Sequence, residues 1–129
     1  ELANAGHQPA LLKNGKEFKE FPSSSMPLAV TKHKYENVYN LENFKLNGGR
    51  IYCFTDGFSE CLDDNKQEIG INGVKELIIK HQNSSLKREL EDATEEIRLK
   101  SLKKGSVEKG IKENNDILDD DLTIIGIGK

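Results

Sequence analysis

The sequence predicts an α+β fold: short strands broken by turns fill the first half, a helical period takes over near Ile71, and an apolar strand closes the chain. Leu2 to Ala5 reads as a strand running straight into Gly6-His7, as in a chain that opens inside a longer domain. Pro9 to Lys13 and Glu17 to Phe21 make a hairpin around Asn14-Gly15, because Asn-Gly tolerates the positive φ that tight hairpins need. Ser23-Ser24-Ser25 is a loop ahead of Pro27. Tyr35, Tyr39 and Leu41 share one parity and Val38 takes the other, which predicts a half-buried strand from Tyr35 to Leu41. Asn47-Gly48-Gly49 turns the chain back into Ile51-Tyr52-Cys53-Phe54. That run is apolar on both faces, as a strand covered on both sides would be.

Ile71, Val74, Leu77, Ile78 and His81 then fall three or four apart, which predicts a helix over 72–82. Asn83-Ser84-Ser85 offers capping groups for a second helix, whose Leu86, Leu90, Ala93 and Ile97 form a stripe suited to lying on a sheet. From Lys103 to Asn115 the residues have little to bury, so a mobile loop is expected there. Leu122 to Ile127 reads as a buried strand.

With 129 residues, 35% hydrophobic and 32% charged, the chain supports a single domain, or a piece of one, with a thin core. A net charge of -3 with both signs interspersed leaves no basic stripe for nucleic acid and no polybasic patch for lipid. No apolar run is long enough to span a bilayer and no signal-peptide pattern opens the chain, so a cytoplasmic location is expected. Cys53 and Cys61 lack zinc-ligand spacing and are expected to be reduced core thiols.

Three stretches carry polar groups where structure alone does not demand them: Asn4-Ala5-Gly6-His7, Thr55-Asp56-Gly57 and Asp119-Asp120-Asp121-Leu122-Thr123. Asp56 follows a buried strand, and Gly57 behind it lets the backbone turn sharply and bring a ligand close. Asp120 and Asp121 precede another apolar strand. Carboxylates at the ends of neighbouring strands can converge on a hard cation such as Mg²⁺ or Mn²⁺. Each stretch alone is more often ordinary turn or loop chemistry than a site. Two other readings fail on single residues. A haloacid-dehalogenase nucleophile would stand where Phe54 is, and a calcium loop starting at Asp63 needs glycine where Glu68 is.

In order, Asn4 to Leu12, Pro27-Leu28, Thr55 to Glu60 and Asp120 to Ile125 resemble the C-terminal part of the bacterial PPM-type serine/threonine phosphatases, in the branch of sporulation and stress-response phosphatases. The family pattern reads NAGHxPxLL, GxPLG, GDxLxLYTDGxxE and DDxTLL, and the likeness covers nearly the whole chain. Gly49 stands where the family has the Asp of its GD turn, and Ser25 and Ala29 replace glycines around Pro-Leu. The resemblance implies an αββα sandwich, of which residues 1–129 would be one partial, C-terminal portion. It implies hydrolysis of phosphoserine or phosphothreonine by metal-activated water, with two Mn²⁺ or Mg²⁺ ions in a complete domain. Asp56 and Asp120 are implied as metal ligands and catalytic residues. Gly57, Glu60, Asp121 and Thr123 are implied as their support, and Asn4, Gly6 and His7 as bordering the site. The implied partner is a phosphorylated protein, such as an anti-sigma-factor antagonist, and a portion with one bare flank is expected to self-associate. A non-catalytic signalling module on the same fold is the alternative.

Overall fold

A computed structural model of the chain describes residues 1–27, 39–108 and 121–128, without the side chains of 102–108. Its elements are strands β1 (Ala10–Asn14), β2 (Glu17–Phe21) and β3 (Arg50–Phe54), helices α1 (Asp56–Ser59), α2 (Gly70–Lys80) and α3 (Leu86–Glu108), and strand β4 (Ile124–Ile127). The fold is α+β, with one four-stranded sheet in the order β2-β1-β3-β4 and three helices among the described residues. The chain divides into two compact units, Glu1–Cys53 with Gly126–Lys129, and Phe54–Ile125.

In the first unit, β1 and β2 pair antiparallel from Ala10 opposite Phe21 to Asn14 opposite Glu17. The two-residue loop is therefore Gly15-Lys16, one residue later than the Asn14-Gly15 expected, with Gly15 supplying φ 60°. β1 also pairs antiparallel with β3, Leu11 facing Tyr52 and Leu12 facing Ile51. Ala10, Leu12, Phe21 and Ile51 form a buried cluster, with half-buried Leu2, Phe44, Leu46 and Cys53 against it. The rings of Phe21 and Phe44 lie 4.9 Å apart. Leu11 and Tyr52 are buried as well, so β1 and β3 are covered on both faces, as the apolar run at Ile51 to Phe54 predicts.

Leu2 to Ala5 is not a strand. It makes only isolated bridges, Leu2 with Glu42 and Ala5 with Ser25. The cause is Asn4, whose buried amide works as a clamp instead of continuing a ladder. Its Nδ2 donates to the Gln8 carbonyl at 3.0 Å and the Phe21 carbonyl at 3.1 Å, while its Oδ1 accepts the His7 N–H at 3.1 Å. Of the strand expected from Tyr35 to Leu41, residues 35–38 lie outside the described residues, and Tyr39 and Leu41 are exposed and unpaired by any ladder. Leu28 and Ala29 also lie outside them.

The second unit holds the helices. Val74, Leu77 and Ile78 bury one face of α2, and Ala93 and Ile97 are buried on α3. α2 starts and ends two residues before the predicted span. Ser85 Oγ accepts the Arg88 N–H at 3.5 Å at the start of α3, the capping role expected of Asn83-Ser84-Ser85. The loop expected from Lys103 is corrected as far as Glu108, where the backbone remains helical. Lys, Ser and Glu are adequate helix formers, and elongating an existing helix needs no apolar face once earlier turns have nucleated it. Residues 109–115 of that expectation lie outside the described residues.

α2 and α3 are also tied through Glu96. Its Oε2 accepts from Lys80 Nζ and lies against His81 Nε2, both at 2.6 Å, and its Oε1 pairs with Lys100 Nζ at 3.1 Å. Partial burial works to raise the carboxyl, but the three donors win and hold it at about 2.

The closing strand is shorter and less buried than predicted. β4 begins at Ile124, and its side chains alternate between half-buried and exposed, Ile125 and Ile127 being 58% and 59% exposed. Among the described residues β4 is the last strand in the sheet order, an edge position, and edge strands need not be covered on both faces. Cys61 is buried and Cys53 half-buried, both as free thiols, and burial pushes the Cys53 thiol up.

Candidate functional site

β3 ends at Phe54 and α1 starts at Asp56, so Thr55 sits at the N-cap with an extended backbone, φ −76° and ψ 162°. A threonine there usually turns its hydroxyl onto the first helical N–H groups. Thr55 does not. Its Oγ1 donates to the Asp121 carbonyl at 2.7 Å and accepts the Thr123 N–H at 3.0 Å. Its own N–H donates to the Thr123 carbonyl at 3.0 Å. One residue thus fastens two segments separated by 66 and 68 positions in sequence.

Gly57 completes the join by what it lacks. A Cβ there would stand 2.8 Å from the Asp121 carbonyl oxygen and 3.1 Å from Leu122 Cδ2. Its φ is not in the left-handed region, so what requires glycine here is the close approach of the Asp121 segment. Behind it, Phe58 is fully buried and meets Phe54 edge-on at 6.4 Å, anchoring α1.

Asp56 therefore starts from a rigid base and points outward. It is exposed. Its Oδ1 accepts the N–H of Gly57 at 3.2 Å, and Oδ2 accepts no hydrogen bond from any described residue. The main-chain carbonyl of Asp56 is occupied by Ser59 Oγ at 3.0 Å and Glu60 N at 2.8 Å, which locks the single turn of α1. Glu60 and the side chains of Asp121 and Thr123 are exposed. Asp120 lies outside the described residues.

The structure thus brings together Thr55-Asp56-Gly57 and Asp121-Leu122-Thr123, two of the three stretches singled out in the sequence. The third stretch belongs to the first unit. There Asn4 is the clamp described above, Gly6 takes φ 80° with its face closed by the Pro27 ring, and His7 is exposed. Thr55 is the residue sequence reasoning overlooked. Its signal is a hydroxyl at the very end of an apolar strand, in a chain whose last strand is preceded by another threonine.

Asp56 and Asp121 offer hard, anionic oxygens, the donors that Mg²⁺ and Mn²⁺ favour, and no cationic side chain among the described residues pairs with Asp56. Among the described residues no group of three or more His, Cys, Asp or Glu side chains is placed to hold a metal ion. Beside Thr123 an open groove of about 610 Å³ runs between α3 and the segment 122–124, with Glu91, Asp92 and Glu95 among its lining. Such walls repel an anion, so a phosphate could settle near them only with cations to neutralise the field.

The family model described as Stage II sporulation protein E (SpoIIE) matches residues 1–128. The chain belongs to the SpoIIE family. SpoIIE is a family of PPM-type phosphatases, so at that level the chain is phosphatase-like. No curated protein and no solved structure matches the chain. No helix among the described residues is long and apolar enough to cross a membrane.

Proposed function

We propose that the chain forms part of a Mg²⁺- or Mn²⁺-dependent phosphoserine/phosphothreonine protein phosphatase of bacterial signalling. Membership of the SpoIIE family supports this reading. The single observation that carries it further is the joining of the Asp56 turn to the Asp121–Thr123 segment through Thr55, which leaves the Asp56 carboxylate exposed and unpaired by any described cation.

In this reading Asp56 and Asp120 are the metal ligands and carry catalysis. When bound, divalent ions supply neutralisation of the phosphate charge and activation of water. The chain's own residues supply placement. Buried Phe54 and Phe58 fix the base of the Asp56 turn, Gly57 lets the two segments abut, and the main chain of Asp121 and Thr123 is held by Thr55. Glu60 stands at the end of α1. The acidic groove beside Thr123 accounts for the need for cations, because phosphate and carboxylates repel one another without them.

The same proposal places residues 1–129 in one partial domain of an αββα sandwich, in the cytoplasm, with a phosphorylated protein such as an anti-sigma-factor antagonist as substrate. It includes self-association through edge strand β4, where Ile125 and Ile127 are exposed. Light scattering that finds only monomer at high concentration removes that part.

Incubation of the chain, and of the full-length protein that carries it, with a phosphothreonine peptide tests the reading. Phosphate release by the full-length protein is expected with Mn²⁺ and not with a chelator in excess, with little or none by the isolated chain. Release unaffected by the chelator contradicts metal dependence, and binding of a phosphoprotein without release by either form identifies a non-catalytic module.

A further inference from the structure

The structure assigns Asn47 as a site of spontaneous covalent modification: its side-chain amide condenses with the Gly48 main-chain nitrogen, and water then opens the ring to aspartate or isoaspartate. The chain contains three Asn-Gly pairs, at 14–15, 47–48 and 72–73, alike in that glycine shields the attacking nitrogen least. Their surroundings differ. Asn47 and Gly48 are the central residues of a four-residue turn, with positive φ of 47° and 81°, closed by a bond from the Gly49 N–H to the Leu46 carbonyl at 2.6 Å. Both are exposed, the Gly48 N–H donates to no described residue, and a Cβ on Gly48 would meet nothing within 4 Å. At Asn72, by contrast, the Gly73 N–H is spent on the Ile69 carbonyl at 2.9 Å in α2, and Gly73 is backed against the Ile69 side chain. Asn14 closes the β1–β2 ladder opposite Glu17, and its Oδ1 lies against Gly49.

In the reaction the Gly48 nitrogen gives its proton to solvent base and attacks Asn47 Cγ. The new C–N bond closes a five-membered succinimide, the bond to the side-chain nitrogen breaks, and ammonia leaves. Water adding at Cγ yields aspartate. Water adding at the Asn47 main-chain carbonyl yields isoaspartate, whose main chain runs through the side chain and is one methylene longer. Attack requires the Asn47 backbone to swing the Gly48 nitrogen over Cγ, a local opening that here breaks the turn's closing bond and nothing else described. At Asn72 it must also free the attacking nitrogen from Ile69, and each further bond slows the reaction by up to about tenfold. At Asn14 it must part the end of a ladder. Isoaspartate does not fit the turn, because buried Gly49 lies so close to the Asn14 side chain and the Lys13 carbonyl that it has no room to absorb the added methylene. Aspartate tolerates left-handed φ as asparagine does and keeps the closing bond.

The test ages the full chain at mildly alkaline pH, folded in buffer and unfolded in urea, and follows the three Asn-Gly peptides by mass spectrometry after digestion. In the folded chain Asn47 is expected to convert about tenfold faster than Asn72 and ahead of Asn14, and in urea the three rates are expected to converge. Conversion that is fastest at Asn14 or Asn72 in buffer, or the same spread of rates in urea as in buffer, overturns the assignment. Hydrogen exchange at the Gly49 amide reads the consequence. Protection is expected to be lost in the isoaspartate fraction of the aged chain and kept in Asn47→Asp. Protection kept in the isoaspartate fraction, or lost equally in Asn47→Asp, overturns the claim that the added methylene breaks the turn.

Discussion

Replacing Gly57 with alanine puts a methyl group where the structure has a carbonyl. The new Cβ would lie 2.8 Å from the Asp121 oxygen, which must retreat by about half an ångström to reach ordinary contact. The oxygen is not free to do so, because it accepts the Thr55 hydroxyl at 2.7 Å and the next residue but one is bonded to Thr55 twice. Overpacking of this kind costs about 1–3 kcal/mol. Alanine in place of glycine inside a helical turn returns up to about 1 kcal/mol, since Gly57 has no positive φ to protect. The expected net change is a loss of about 1–2 kcal/mol, larger than a typical surface substitution produces. Urea denaturation followed by helical circular dichroism reads this directly, because α1, α2 and α3 all begin in the second unit. A Gly57→Ala chain as stable as the original, or more stable, would mean that the two segments do not abut as described.

Three further substitutions probe the two units separately. Asn4→Ala removes the donor to the Phe21 carbonyl at 3.1 Å and the partner of the His7 N–H, so a loss of about 2–3 kcal/mol is expected in thermal or urea unfolding. His7→Ala beside it, at an exposed position, is expected to change stability by no more than about 0.5 kcal/mol, and a larger effect than that of Asn4→Ala contradicts the clamp. Glu96 is depressed from 4.5 to about 2, so its ties to Lys80, His81 and Lys100 stabilise the fold fully above pH 4.5 and fade as pH falls toward 2. That depression has a ceiling of roughly 3 kcal/mol, which the 63% exposure of Lys80 reduces to about 1–2 kcal/mol through solvent screening. Glu96→Gln is expected to lower stability at pH 7 by that amount and to flatten its decline between pH 4.5 and 2. An unchanged acid profile refutes the pairing.

What could be read in the sequence was what depends on local chemistry. The hairpin at Gly15 was legible because a tight two-residue loop needs a residue with positive φ, and β3 because Ile51, Tyr52 and Phe54 are apolar on both parities. α2 and the first turns of α3 were legible from spacing alone. Leu2 to Ala5 misled because an asparagine's long-range bonds, 17 positions away at Phe21, leave no mark on local propensity. The end of α3 misled because helix elongation tolerates a polar sequence, and β4 because periodicity does not report whether a strand lies at an edge. For the site, the two acidic motifs were visible as words. That Thr55 joins them was not, since a hydroxyl's partner 66 residues on is a tertiary fact.

Asp56→Asn is the most direct measurement of the central claim. The substitution keeps the size of the side chain and its bond to the Gly57 N–H while removing the negative charge. Mn²⁺-dependent release of phosphate from a phosphothreonine peptide by the full-length protein is expected to fall about a hundredfold or more, on the scale of losing one preorganised electrostatic contact to the transition state. Undiminished release, with the fold intact by circular dichroism, would show that the exposed carboxylate at the end of β3 takes no part in the chemistry.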